Sequence, residues 1–276
     1  MRKITTFMAI GFAAFFIVGD SISEMRFSSQ GHSGLTFEVS YPEDAVKKIT
    51  EIGLRVPITG RVYAIISRNN KKELRFQTGY TGVPIWGKNI YSLKPGEPGI
   101  IDEESFGYPL RSIKDIPAGE YFVQGFINIY TEFKRSDGHT IWLHKDQWEG
   151  QKWNRSPGNL YSDVFKAYID PSKEQTIKIS CKNVIPPIEI PPDTEWVKRI
   201  KFKSKILSEF WGQPMYLGAT VLLPKGYDDH PDVYYPVNYV QGHFSLRAPH
   251  GFRTDDPGEK DPRGRRGYEF YKYWIS

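Results

Sequence analysis

Between Tyr121 and Tyr130 the chain runs Tyr-Phe-Val-Gln-Gly-Phe-Ile-Asn-Ile-Tyr, a stretch of mostly aromatic and β-branched residues without a charge. Such side chains suit a pleated, buried surface better than a helix, where branching at Cβ crowds the preceding turn. With no charged position, neither face is reserved for water. The segment is therefore predicted to be a strand at the centre of a sheet. Other stretches alternate apolar and polar residues at the two-residue period of a half-buried strand. These are Leu35–Ser40, with Leu35, Phe37 and Val39 on one side, then Gly60–Ser67 and Thr176–Cys181. A polar turn over Arg68–Glu73 is predicted to lead into an extended Leu74–Gln77, and Ile90–Ile101 reads as a loop around Pro95-Gly96 and Pro98-Gly99.

Helical spacing is sparse between residues 34 and 190, Pro42–Ile52 being the one short candidate. Turn clusters separate the strands instead, drawn from 25 Gly and 20 Pro in the chain, so a mainly β fold with an antiparallel sandwich is expected. Asp115-Ile116-Pro117-Ala118-Gly119-Glu120-Tyr121 resembles the turn that precedes a strand in immunoglobulin-like modules. Pro186–Pro192 carries paired prolines that favour stiff, extended backbone, and a boundary is placed there. At the start, Met1-Arg2-Lys3, an uncharged apolar Ile4–Gly19 and small residues at Ser21-Ile22-Ser23 form the pattern of a signal peptide. The expected organisation is a signal peptide at 1–23, a β-sandwich accessory domain at 24–185, a linker at 186–195 and a second unit at 196–276. A secreted or periplasmic location follows, with no stable membrane span once the signal is removed.

In the second unit, Val197–Leu207 alternates apolar and basic residues and is expected to pair with Tyr216–Leu223 through a turn at Ser208–Pro214. Pro224 has no N–H for a ladder and marks the strand end. The turn-rich Lys225–Asp232 is followed by a predicted strand, Pro236–Val240, that exits into Gln241-Gly242-His243-Phe244. In open α/β sheets, ligands sit beyond the carboxyl ends of strands, so this exit is the first place to seek chemistry.

The ordered pair Val221-Leu222-Leu223-Pro224-Lys225-Gly226-Tyr227 and Tyr235-Pro236-Val237-Asn238-Tyr239-Val240-Gln241-Gly242 resembles the esterase D and enterochelin esterase branch of the α/β-hydrolase superfamily. The resemblance covers about residues 196–276. It implies the first strands of an α/β-hydrolase sheet, cleavage of carboxylic esters in full-length relatives, and no cofactor. It also implies that Gly242 and the amide of His243 belong to the oxyanion hole, although Gln241 stands where many members have His or Asp. No G-x-S-x-G nucleophile turn occurs in the chain: Ser33 lacks the second spaced glycine, and Ser245 has the wrong spacing. The expectation is an inactive N-terminal portion of a serine hydrolase, with a small-molecule ester or glycan-linked substrate for the whole enzyme.

The second reading is an extracytoplasmic carbohydrate- or ligand-binding sandwich without catalysis. Ser136–Trp153 gathers Trp142, Trp148 and Trp153, which could stack on a sugar or simply pack as a loop on a neighbouring domain. His139 and His144 are five apart, on opposite faces of a strand, and no metal site is assigned to them. His243 and His250 are read as loop residues lining a site mouth. Gly107-Tyr108-Pro109 is read as turn chemistry. The formal charge of +5, from 37 basic and 32 acidic residues, is too small and scattered to predict nucleic-acid binding. Cys181, the single cysteine, is expected to be a buried structural thiol. Asp255–Arg266, including Arg263-Gly264-Arg265-Arg266, is expected to be a mobile, solvated stretch.

Overall fold

The computed structural model describes residues 34–145, 152–241 and 245–276. The predicted signal peptide and Ser33 lie outside the described residues. The fold is mainly β. In chain order the first elements are β1 (Leu35–Ser40), α1 (Asp44–Glu51), β2 (Ile58–Ser67), β3 (Ile85–Leu93), β4 (Gly99–Ile101), β5 (Phe106–Tyr108) and β6 (Gly119–Ile129). A hairpin of β7 (Thr131–Lys134) and β8 (Thr140–Leu143) precedes β9 (Leu160–Tyr161), β10 (Phe165–Ile169), β11 (Gln175–Ser180) and β12 (Asn183–Val184). After the proline-rich stretch come β13 (Val197–Ser204), α2 (Lys205–Trp211), β14 (Met215–Leu222) and α3 (Pro262–Ile275).

The larger sheet runs β12-β9-β6-β2-β3-β5, with β10 also paired to β6. The predicted central strand is β6, which pairs antiparallel with β2 from Ser67↔Phe122 to Gly60↔Ile129 and with β10 and β9 on its other side. The smaller sheet runs β11-β1-β4. There β1 and β11 are parallel, unlike the antiparallel pairing expected throughout, and the long chain between them supplies the crossover that a parallel pair requires.

The two sheets bury a shared core. Phe37, Val39, Ile177 and Ile179 of the smaller sheet meet Val62, Ala64, Trp86, Val123 and Ile127 of the larger one, and α1 adds Ala45 and Ile49. Phe37 stacks on Trp86 at 6.5 Å between ring centroids. The sheets approach closely at Gly125, where a Cβ would lie 2.5 Å from Ile179 Cγ2 and 3.1 Å from Cys181 Sγ. Cys181 is fully buried, and burial pushes its thiol far up, so the reactive thiolate is suppressed.

Some stretches differ from the sequence expectation. Leu74–Phe76 forms a 3₁₀ turn rather than an extended segment, with Leu74 buried beneath it. Ile90–Ile101 contains the end of β3 and all of β4 around the turn at Pro95-Gly96. Ser208–Pro214 is not a turn alone: Ser204 Oγ accepts from Leu207 N at 3.3 Å and starts α2, which Gly212 ends at φ 67°. Among the described residues Pro236–Val240 has no ladder partner, and it is not a strand. Asp261 caps α3 by accepting from Gly264 N at 2.9 Å, with Pro262 in the first turn, so the basic stretch is helical from there on.

A buried carboxylate braces β3 against β4. Asp102 Oδ2 accepts from Lys88 Nζ at 2.5 Å, and Oδ1 accepts from Ser105 Oγ at 2.9 Å. Burial alone would raise its carboxyl, but the Lys88 ammonium and the Ser105 hydroxyl outweigh that and hold it below the usual carboxylate range. A carboxyl lowered by folding adds stability above its unfolded value, near 4, and loses that contribution as pH falls through the folded value. Asp102→Asn is therefore expected to flatten the acid limb of a stability-versus-pH curve followed by denaturant unfolding; an unchanged limb would contradict the pairing. Gly125→Ala should cost about 1–3 kcal/mol in the same measurement, because its methyl has no room between the sheets.

Candidate functional site

Alternation in β13 and β14 sorts their side chains onto two faces. Val197, Arg199, Lys201 and Lys203 share a face with Leu222, Thr220, Gly218 and Tyr216, while Ile200 and Phe202 share the other with Ala219 and Leu217. The first face is partly covered. Arg199 Nε and Nη2 both donate to Leu246 O, at 3.1 and 3.0 Å, and Nη1 donates to Pro192 O at 2.9 Å. Its own backbone N–H donates to Asp193 Oδ1 at 2.8 Å. Directly opposite, Thr220 Oγ1 donates to Ser245 O at 3.3 Å. One guanidinium thus ties the connector to the residues that follow the predicted oxyanion turn. Gly242 and His243 themselves lie outside the described residues.

The strand exit is held from a second side. Trp274 Nε1 donates to Leu223 O at 2.8 Å and Lys225 Nζ donates to Ile275 O at 2.9 Å, so α3 grips the end of β14. Trp196 packs against Phe252 and Tyr271, each with a centroid separation of 6.1 Å. His250 lies against Phe270 at 4.7 Å, a setting that packs its ring against an aromatic side chain. The second face of the ribbon is open: Ile200 is 47% and Phe202 52% exposed.

The predicted tryptophan surface is divided by the fold. Trp142 stands exposed on β8 opposite Glu132. Trp153 turns inward, with its ring 5.1 Å from both Tyr63 and Phe126. Trp148 lies outside the described residues. His139 Nδ1 is 3.3 Å from Asp137 Oδ1, and His144 Nδ1 is 3.0 Å from Ile129 O, so the two rings have separate partners. Among the described residues, no group of three or more His, Cys, Asp and Glu is placed to hold a metal ion. α2 is contacted by β7 and by the first residue of this segment: Phe133 meets Trp211 edge-on at 5.6 Å and Ser136 N donates to Phe210 O at 2.8 Å.

A row of aromatic side chains that the sequence reading did not assemble crosses the outer face of the larger sheet. Registers place Phe106, Gly87, Tyr63, Phe126 and Tyr161 side by side on β5, β3, β2, β6 and β9. The inner end is covered by Trp153, and burial pushes the Tyr63 hydroxyl up to about 12, with Tyr130 adding to the rise and Arg61 opposing it. The outer end is open. The aromatic-Gly-aromatic spacing of Phe106-Gly107-Tyr108 was the signal for it, hidden by reading Gly107-Tyr108-Pro109 as a turn.

Comparison with protein-family models, curated proteins and solved structures found no match for this chain. The functional reading therefore rests on the residues themselves.

Arg199→Ala should release Leu246 and speed tryptic cleavage after Arg247 by about tenfold or more, since hydrogen bonds to a charged donor are worth about 1.5–3 kcal/mol. Arg199→Lys should not restore the wild-type rate, because an ammonium lacks the fork that reaches Leu246 and Pro192 together. Equal cleavage rates in all three proteins would show that the guanidinium does not hold this stretch.

Proposed function

We propose that residues 196–276 are the opening part of an esterase-type serine hydrolase, with the preceding sandwich as an accessory module on an exported polypeptide. The observation that carries this reading is the β13–β14 pair, which runs into Leu223-Pro224-Lys225-Gly226-Tyr227 while Arg199 and Thr220 fasten the residues just beyond Gly242-His243 onto it. The open face with Ile200, Phe202 and Leu217 agrees with it, because a sheet of this kind is normally covered on both sides.

In such a hydrolase, a serine oxygen attacks the ester carbonyl and negative charge develops on the carbonyl oxygen. Backbone N–H groups aimed at that oxygen stabilise the transition state more than the ground state. The amide of His243 is assigned that role, and Gly242 lets the backbone approach. The nucleophile and its base have no counterpart in the 276 residues, which lack G-x-S-x-G. The chain contributes electrostatic stabilisation and scaffold, not nucleophilic attack.

This chain alone should give no p-nitrophenyl acetate hydrolysis above a boiled control; saturable turnover blocked by a serine-directed inhibitor would contradict the assignment. In a chimera that supplies a nucleophile, acid and His from an esterase D-type enzyme after residue 276, turnover should appear. There His243→Pro, which deletes the amide N–H, should lower kcat about 10²–10³-fold. An active chimera indifferent to that substitution would remove the oxyanion role.

A further inference from the structure

We propose that Tyr80, Phe106 and Tyr108, together with Arg61 and Asn89, form a binding platform for a glycan that carries carboxylate groups. The inference rests on the sandwich alone and is independent of the hydrolase reading of residues 196–276.

The rings are held outward by the core beneath them. Gly107 is buried between Phe106 and Tyr108, and a Cβ on it would lie 2.1 Å from Trp86 Cδ1 and 2.5 Å from Leu110 O. That contact presses one face of β5 onto the core, so the alternate residues point to solvent. Phe106 is 70% and Tyr108 41% exposed, and Tyr80, 89% exposed, stacks on Tyr108 at 6.4 Å with 28° between the ring planes. Tyr108 Oη donates to Tyr80 O at 2.6 Å and fixes the pair. A preorganised ring pays little ordering cost when a ligand arrives.

The neighbouring groups select the ligand. Phe106 pairs with Gly87, whose missing side chain leaves space that the Tyr63 ring and Arg61 fill; a Cβ there would be 2.7 Å from Arg61 Nε. Among the described residues Arg61 donates to neutral acceptors, Gly87 O at 3.0 Å and the exposed Asn89 Oδ1 at 3.4 Å. Among the described residues no carboxylate forms an ion pair with it. Its charge is therefore available to a carboxylate from outside, at the end of a flat aromatic strip. A pyranose ring has apolar C–H faces that stack on aromatic rings and hydroxyl edges that hydrogen-bond to amides, which matches this combination. An aliphatic partner would suit the open face of β13–β14, where Ile200 and Leu217 are exposed, better than this surface.

Affinity electrophoresis and calorimetry with polygalacturonate and with its methyl-esterified form test the assignment. The protein should bind polygalacturonate, and bind the neutral ester more weakly. Phe106→Ala and Tyr80→Ala should each weaken binding by about tenfold, in the range of a lost aromatic contact. Arg61→Gln should abolish the preference for the acidic polymer, while Trp142→Ala should change nothing. Thermal melts of the Phe106 and Tyr80 variants should match the wild type, because both side chains are exposed. Absence of binding to either polymer would overturn the proposal, as would binding unaffected by Phe106→Ala or lost in Trp142→Ala. Self-association in sedimentation abolished by Phe106→Ala, without glycan binding, would assign the surface to a protein partner instead.

Discussion

β6 pairs along one side with β2 and along the other with β10 and β9, and its two faces enter two different apolar layers. Val123 and Ile127 face the smaller sheet across the main core, while Phe126 faces outward under Trp153 and beside Tyr63. A strand covered on both faces leaves no solvent for polar groups that the ladder does not satisfy. The outer layer supplies their partners. Gln124 accepts from Arg75 N at 2.9 Å and donates to Ser162 O at 3.0 Å, and Ser162 Oγ accepts from Gly125 N at 2.9 Å. Asn159 accepts from Ile129 N at 2.9 Å and donates to Asn128 Oδ1 at 3.0 Å. The short turns that carry Arg75 and Trp153 are thus a lid on the sheet rather than loose connections.

The β13–β14 ribbon is built on the opposite plan. It pairs along eight positions, with Ile200, Phe202 and Leu217 exposed on one face and the other face fastened to neighbouring residues. Arg199 and Thr220 hold that face, and the aromatic cluster of Trp196, Phe252 and Tyr271 packs at the end of the ribbon. A two-stranded ribbon alone is marginal in water, so its stability depends on what is fastened to it. The same dependence brings functional interest: the guanidinium of Arg199 joins the connector, the ribbon and the residues after Gly242-His243 in one set of hydrogen bonds.

Strands whose pattern agreed with their surroundings were legible from sequence. β1 and its inward Leu35, Phe37 and Val39 follow the two-residue period, and the uncharged run from Tyr121 announced the central place of β6. The β13–β14 pairing was legible because apolar and basic residues alternate. What failed was local chemistry read without its context. Lys205–Leu207 looked like the end of a strand and Ser208–Trp211 like part of a turn, because the cap at Ser204 and the left-handed Gly212 that define a helix lie at its ends. Pro236–Val240 has strand composition but finds no partner strand among the described residues. The tryptophan cluster was legible as composition only, since Trp142 and Trp153 face opposite environments. Of the row from Phe106 to Tyr161 only the Phe106-Gly107-Tyr108 spacing was visible in sequence: the other members are far apart in the chain, and strand register brings them together.

Native-state hydrogen exchange tests the contrast between the doubly covered β6 and the singly covered ribbon most directly. Amides of Val123–Ile129 should exchange only through global unfolding, while those of Ile200–Ser204 and Leu217–Val221 should exchange through a separate opening of lower free energy. Equal protection of the two regions, lost together in one transition, would contradict the account and mark the ribbon as part of a single closed core.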